Sequence, residues 1–257
     1  VGGHHDSEGQ ARPARIGCSG WSYEDWEGVL YPPRLPARER LRRYAEVFDT
    51  VEVNATFYRL QSPDTTARWA AETPDGFLFA VKASRYLTHV RRLRDAGTGV
   101  ARLLDSIAPL AEAGKLGPLL WQLPGDFRRD DDRLAGLLAV LPGGRHCFEF
   151  RHESWHCAPV LDLLRAHHAA LVVADRGGRA PGPLELTTDW TYVRFHGGED
   201  PSGCYSDAEL RAWAARIRDW RRSADVQAYF NNDWQGFAVR NAESLRALLG
   251  MDAAAPG

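Results

Sequence analysis

Residues 50–54 read Thr-Val-Glu-Val-Asn, and this short stretch decides between the two architectures open to the chain. Extended, it places Val51 and Val53 on one face and Thr50, Glu52 and Asn54 on the other. Residues 148–151 (Phe-Glu-Phe-Arg) and 192–196 (Tyr-Val-Arg-Phe-His) repeat the alternation. Glu149 and Arg151, then Arg194 and His196, fall on the polar side. A doubly wound open sheet, covered by helices on both sides, calls for strands that are apolar on both faces. A closed barrel does not. Its apolar faces meet a ring of helices, and its polar faces line the interior and the mouth.

The rest of the chain agrees. Strands are expected at 16–20, 50–54, 78–82, 116–122, 146–151, 170–175, 192–196 and 226–231. Helical patterns at 38–48, 65–72, 100–113, 130–141, 158–167, 207–222 and 235–249 lie between them, bounded by Pro36, Pro63, Ser206 and Gly250. Eight strands alternating with helices fit a single (β/α)8 TIM barrel of the α/β class, a fold of about 250 residues. The connection from strand six to strand seven is irregular and is expected to carry no full helix. The domain is assigned to 16–250, with 1–15 as a disordered leader and 251–257 as a flexible tail.

Composition narrows the function classes. The 257 residues are 44% hydrophobic and 26% charged, with 24 Gly and 15 Pro, which excludes a disordered chain or a coiled coil. No apolar run reaches the length of a membrane span, so no membrane partner is expected. The formal charge of −2 does not draw the protein to nucleic acid, and such a partner would need a local basic patch. Cys18, Cys147, Cys157 and Cys204 form no metal-binding spacing and suit a reduced, cytoplasmic protein. Of the 32 basic residues only Lys82 and Lys115 are lysine.

In such a barrel the chemistry belongs at the C-terminal ends of the strands. Those ends carry Ser19 and Trp21, Asn54 and Thr56, Lys82 and Ser84, Gln122, Glu149 and Arg151, Asp175, Arg194 and His196, and Asn231, Asn232 and Asp233. The opposite ends are mostly apolar. Arginine's planar fork suits phosphate or carboxylate, so Arg151, Arg194 and Lys82 point to an anionic ligand. Glu52 and Glu149 are candidates for general acid–base work, His196 for a general acid. Aromatic residues crowd the same loops, among them Trp21, Tyr23, Phe57, Tyr58, Tyr86, Trp155 and Trp234, and are suited to stacking on sugars or bases. Residues 82–94 hold Lys82, Arg85, Arg91, Arg92, Arg94 and His89, a small nucleic-acid footprint.

Seven segments, IGCSGWSYEDWEG (16–28), FDTVEVNATFYRLQSPDT (48–65), FLFAVKASRYLTHVRRL (77–93), GKLGPLLWQLP (114–124), CFEFRHESW (147–155), YVRFHGG (192–198) and YFNNDWQGFAVRNAESL (229–245), together resemble the YecE-like family, domain-of-unknown-function family seventy-two. The resemblance implies a TIM barrel and brings no catalysed reaction with it. It maps motif positions onto Trp21, Glu52, Asn54, Thr56, Tyr58, Lys82, His89, Gln122, Glu149, Arg151, Trp155, Asp175, Arg194, His196, Asn231, Asn232 and Asp233. A similar barrel serves metal-dependent endonucleases and sugar isomerases, but this chain lacks their many clustered His, Asp and Glu ligands.

The leading expectation is a hydrolase-like enzyme acting on a phosphate-bearing substrate, either nucleic acid or a nucleotide. Glu52, Glu149, His196 and Lys82 are its catalytic candidates. Trp21, Asn54, Tyr58, His89, Gln122, Arg151, Trp155, Asp175, Arg194, Asn231, Asn232 and Asp233 are its binding candidates. A divalent metal stays open as cofactor, with no ligand set assigned. The alternatives are a carbohydrate-active enzyme using Glu52 and Glu149 as a pair, and a non-catalytic module for nucleic acid or a sugar phosphate.

Overall fold

A computed structural model describes residues 11–177 and 182–251. Eight parallel strands, β1 (Ala14–Ser19), β2 (Thr50–Val53), β3 (Leu78–Lys82), β4 (Leu116–Gln122), β5 (His146–Glu149), β6 (Ala170–Asp175), β7 (Trp190–Phe195) and β8 (Asp225–Phe230), close into a barrel in sequence order. The helices are α1 (Arg40–Ala45), α2 (Ala55–Tyr58), α3 (Pro63–Ala71), α4 (Gly97–Glu112), α5 (Asp131–Leu138), α6 (Ala158–Ala166), α7 (Asp207–Trp220) and α8 (Phe237–Leu248). The expected (β/α)8 barrel is the observed fold. Among the described residues no helix joins β6 to β7.

The alternation read in the strands sorts the interior. Val51, Val53, Phe79, Val81, Phe148, Val193 and Phe195 belong to the apolar layer between strands and helices. A smaller cluster inside the barrel holds Ala80, Leu120, Cys147, Ala170, Tyr192 and Tyr229. Each large side chain so buried contributes about 1.5–3 kcal/mol. Closure between β1 and β2 depends on Gly17, because a Cβ there would lie 2.3 Å from the Thr50 carbonyl oxygen. The Tyr44 hydroxyl bridges the same strands, accepting from Cys18 N at 2.8 Å and donating to Thr50 O at 2.9 Å. In β4 the pairing with β3 slips between Phe79 and Val81, opposite Pro118, which has no N–H to offer a ladder.

Local signals hold at the helix ends. Ser62 caps α3 ahead of Pro63, and Ser206 with Glu209 forms a capping box on α7. One boundary needs correction. The barrel begins before Ile16: β1 starts at Ala14, and Arg12 already donates to Arg221 O while its side chain reaches Ser223 O. Residues 11–15 therefore belong to the fold. The rest of the expected leader, 1–10, and the tail beyond Met251 lie outside the described residues. No helix among the described residues is long and apolar enough to cross a membrane.

Candidate functional site

At the C-terminal ends of the strands the barrel opens into a cavity of about 620 Å³. Its walls are Tyr23, Asn54, Phe57, Tyr58, Lys82, Arg85, His89, Gln122, Arg151, Arg194, Asn231 and Asp233. The loops reach it by short, well-tied turns. Gly20, at φ +91°, turns the chain out of β1, and a Cβ there would lie 2.7 Å from the Tyr23 hydroxyl. After β2 the chain enters α2 at once, which brings Phe57 and Tyr58 to the rim, and Thr56 Oγ1 donates to Lys82 O at 2.8 Å. After β3 a single π-helical turn, Tyr86–Val90, sets Arg85 and His89 over the opening.

The floor is a closed ionic network centred on Arg194. Its Nε and Nη2 donate to Glu52 Oε2 and Oε1 at 2.8 and 2.7 Å, a bidentate pair, and its Nη1 donates to Glu149 Oε2 at 2.7 Å. Ser19 Oγ and Tyr192 OH complete Glu52 at 2.7 and 2.8 Å. Gln122 Nε2 adds to Glu149 at 2.8 Å. All three ions are essentially out of solvent. Burial alone would raise both carboxyls, but the guanidinium between them outweighs it, lowering Glu52 and holding Glu149 well below the usual carboxylate range. Both glutamates are therefore permanently charged, and Arg194 fills the space between them. That is poor geometry for a glutamate acid–base pair astride a glycosidic bond, and poor chemistry for a general base.

Above the floor the charges do not balance. Glu149 Oε1 also receives Arg151 Nε at 3.3 Å and Arg176 Nη2 at 3.1 Å, with His196 Nε2 at 3.7 Å. Around the opening Arg194, Arg151, Arg176, Lys82 and Arg85 thus outnumber the carboxyl groups Glu52, Glu149 and Asp233. Lys82, only 8% exposed, has no hydrogen-bond acceptor and no carboxylate within 4.0 Å among the described residues, and its Nζ lies 4.2 Å above the Phe57 ring. Burial, and then repulsion from Arg194, bring its ammonium down to about 8. Across the opening burial pushes Asp233 up to about 7, and its Oδ1 is buried without a partner among the described residues. Asn54 Oδ1 is likewise buried and unpartnered. His89, whose ring packs edge-on to Phe57 at 5.0 Å, is driven down to about 4 by burial and by Lys82, so it is neutral at pH 7. Tyr58, 80% exposed, and the exposed Tyr86 and Trp234 are aromatic rings open to solvent on the loops that follow β2, β3 and β8.

Most residues expected at the site converge here. Glu52, Asn54, Tyr58, Lys82, His89, Gln122, Glu149, Arg151, Arg194, Asn231 and Asp233 line the opening or its floor, and His196 joins them through Asn231 Nδ2 at 3.1 Å. Four do not. Trp155 is fully buried, stacked on Phe150 at 4.9 Å and donating to Phe127 O. Asp175 points outward to Trp213 Nε1 at 2.8 Å, and Asn232 outward to Asn241 Oδ1 at 2.9 Å. Trp21 packs against Trp69 at 5.1 Å, beside a separate groove with Arg38 and Arg68. The site residues missing from the expected list are Arg85, Tyr23 and Phe57, already noted as basic or aromatic loop residues, and Arg176, which carries the inward parity of β6. Within the basic stretch, Arg91 and Arg92 are paired with Asp95 and Asp126. No cluster of three or more His, Cys, Asp or Glu side chains among the described residues could hold a metal ion. The site's donors thus do not fit a dinuclear or trinuclear centre.

The chain is similar to known proteins over most of its length. The UPF0759 protein YunF of Bacillus subtilis is 28% identical over 270 residues, covering 92% of this chain and 95% of its own. The UPF0759 protein YecE of Escherichia coli is 28% identical over 235 residues, covering 81% and 82%. The crystal structure of a DUF72 family protein (TM1631) of Thermotoga maritima superposes with a TM-score of 0.84 at 30% identity, covering 93% of this chain and all of that one. The family described as "Protein of unknown function DUF72" matches residues 15–256, and the chain belongs to that family.

Proposed function

We propose that this mouth is the active site of an enzyme acting on a phosphate-bearing small molecule, a nucleotide or sugar phosphate. The observation that carries the reading is the surplus of cationic side chains over carboxylates around an open cavity of about 620 Å³, with Lys82 buried in its wall and Arg85 and Arg151 exposed at its rim. Such a surplus is relieved by an anion, and the buried, unpaired Lys82 ammonium is the member costliest to leave without one. Arg85 and Arg151 supply forked donors for the phosphate. The unpartnered Asn54 Oδ1 and Asp233 Oδ1 are acceptors, which suit a ligand with hydroxyl or N–H groups beside its phosphate. Tyr58, Tyr86 and Trp234 are faces on which a ring can stack.

Proton transfer falls to Asp233 and Lys82, at about 7 and about 8, rather than to Glu52 or Glu149, whose oxygens are occupied by Arg194. A base near neutrality and an acid slightly above it suit hydrolysis of a phosphate ester, with Asp233 activating water and Lys82 protonating the departing oxygen. A small ligand is favoured over a long nucleic acid because Arg91 and Arg92 are already neutralised by carboxylates.

Calorimetric titration with inorganic phosphate, ribose phosphate and a nucleoside monophosphate at low salt tests the reading. Binding that tightens along the series and weakens about tenfold or more in Arg151→Ala is expected. No binding of any of the three would overturn it.

A further inference from the structure

Lys82 stands where this chain would ordinarily place arginine. A guanidinium is permanently charged and holds phosphate with a planar fork; a lysine amine can lose its proton and form a covalent bond to carbon. The surroundings allow both in turn, the ammonium drawing the anion in and its deprotonated fraction bonding to carbon. No carboxylate lies within 4.0 Å of Nζ among the described residues, Arg194 and Arg151 repel its charge, and the Phe57 ring covers one side at 4.2 Å. The side chain is more than nine-tenths buried yet lines the open cavity. Its backbone is fixed by the β3–β4 ladder and by Thr56 Oγ1, which donates to Lys82 O, so the strand end is held while the amine meets no hydrogen-bond acceptor among the described residues.

We infer that Lys82 is a nucleophile that condenses with the carbonyl group of a phosphate-bearing aldehyde or ketone. The inference rests on the anion site proposed above and names the second functional group of its ligand. The neutral amine's lone pair adds to the carbonyl carbon, and the C=O pair moves to oxygen, which takes a proton. Nitrogen then expels that oxygen as water, both its protons having passed to it, and a C=N bond replaces C=O. Asp233, across the cavity, is a carboxyl able to give and recover a proton near neutral pH. Amine and carbonyl give imine and water, with no redox change.

The test is reductive trapping. The full chain is incubated with glycolaldehyde phosphate and cyanoborohydride, then analysed by intact mass and peptide mapping. The expected result is a single adduct on Lys82, formed about tenfold or more faster than with unphosphorylated glycolaldehyde, and slowed by inorganic phosphate. Lys82→Arg, which keeps the charge, is expected to bind phosphate and to give no adduct at that position. An adduct spread over other amines, or rates equal for the two aldehydes, overturns the inference. Wild type that binds inorganic phosphate in calorimetry but is not trapped overturns the imine alone. Wild type that neither binds nor is trapped overturns the anion site as well.

Discussion

Lys115 and Lys82 are the two lysines of a chain whose other basic residues are arginines, and the fold treats them in opposite ways. Both are buried. Lys115, at the edge of β4, donates to Ala70 O at 2.7 Å, Thr73 O at 2.6 Å and Thr73 Oγ1 at 3.3 Å. Its three protons go to two carbonyls and a hydroxyl at and just past the C-terminal end of α3, a task that needs a compact tetrahedral donor rather than a fork. Lys82, at the end of β3, has none of these partners. One lysine is satisfied by the fold; the other meets no acceptor among the described residues.

The same contrast separates the floor of the mouth from its wall. Arg194 is saturated by Glu52 and Glu149, and its removal strands two buried carboxylates. Arg194→Met is therefore expected to cost about 3–5 kcal/mol in urea denaturation, the largest effect of any single change here. Lys115→Met leaves the α3 carbonyls short of donors and is expected to cost about 1–3 kcal/mol. Lys82→Met should cost nothing, or stabilise, while weakening phosphate binding. If Lys82→Met proved as destabilising as Lys115→Met, the contrast between the two lysines would be gone.

Two smaller effects sharpen it. Because the Lys82 ammonium titrates near 8 in the folded protein and near 10.4 when unfolded, the unfolded chain holds more protons between those values. Stability is thus expected to rise with pH from about 8 to about 10.4, and Lys82→Met should flatten that rise. Sulfate, whose charge is constant over this range, should bind more weakly as Asp233 ionises through about 7 and weaker again as Lys82 discharges through about 8. Asp233→Asn is expected to erase the first decline and keep the second, a change of severalfold that fluorescence or calorimetric titration resolves.

Nearly all of the fold was legible because alternation in β2, β5 and β7 is a local signal with a single barrel-compatible meaning. The site was legible to the extent that parity was applied. Glu52, Lys82, Glu149, Arg194 and Asn231 share the inward face of their strands, whereas Asp175 and Asn232, expected from their place at a strand end and from the family resemblance, follow the outward face. Arg176, one residue past Asp175, had the inward position. Trp155 is a loop aromatic, and nothing local distinguishes one that closes a small core with Phe127 and Phe150 from one that meets a ligand. The Arg194 network was not legible as such. It joins residues 142 and 45 positions apart, and which carboxylate a guanidinium takes is settled only when the barrel closes.

The central claim is that Lys82 is the cation the fold leaves uncompensated for an anion. Calorimetric titration of wild type and Lys82→Met with sulfate at pH 7 and low ionic strength, alongside their melting temperatures, tests it most directly. The account predicts one anion bound per chain, affinity about tenfold or more weaker in the variant, and a melting temperature equal to or above that of wild type. Equal affinities, or a variant that loses stability as a broken structural ion pair would, would contradict it.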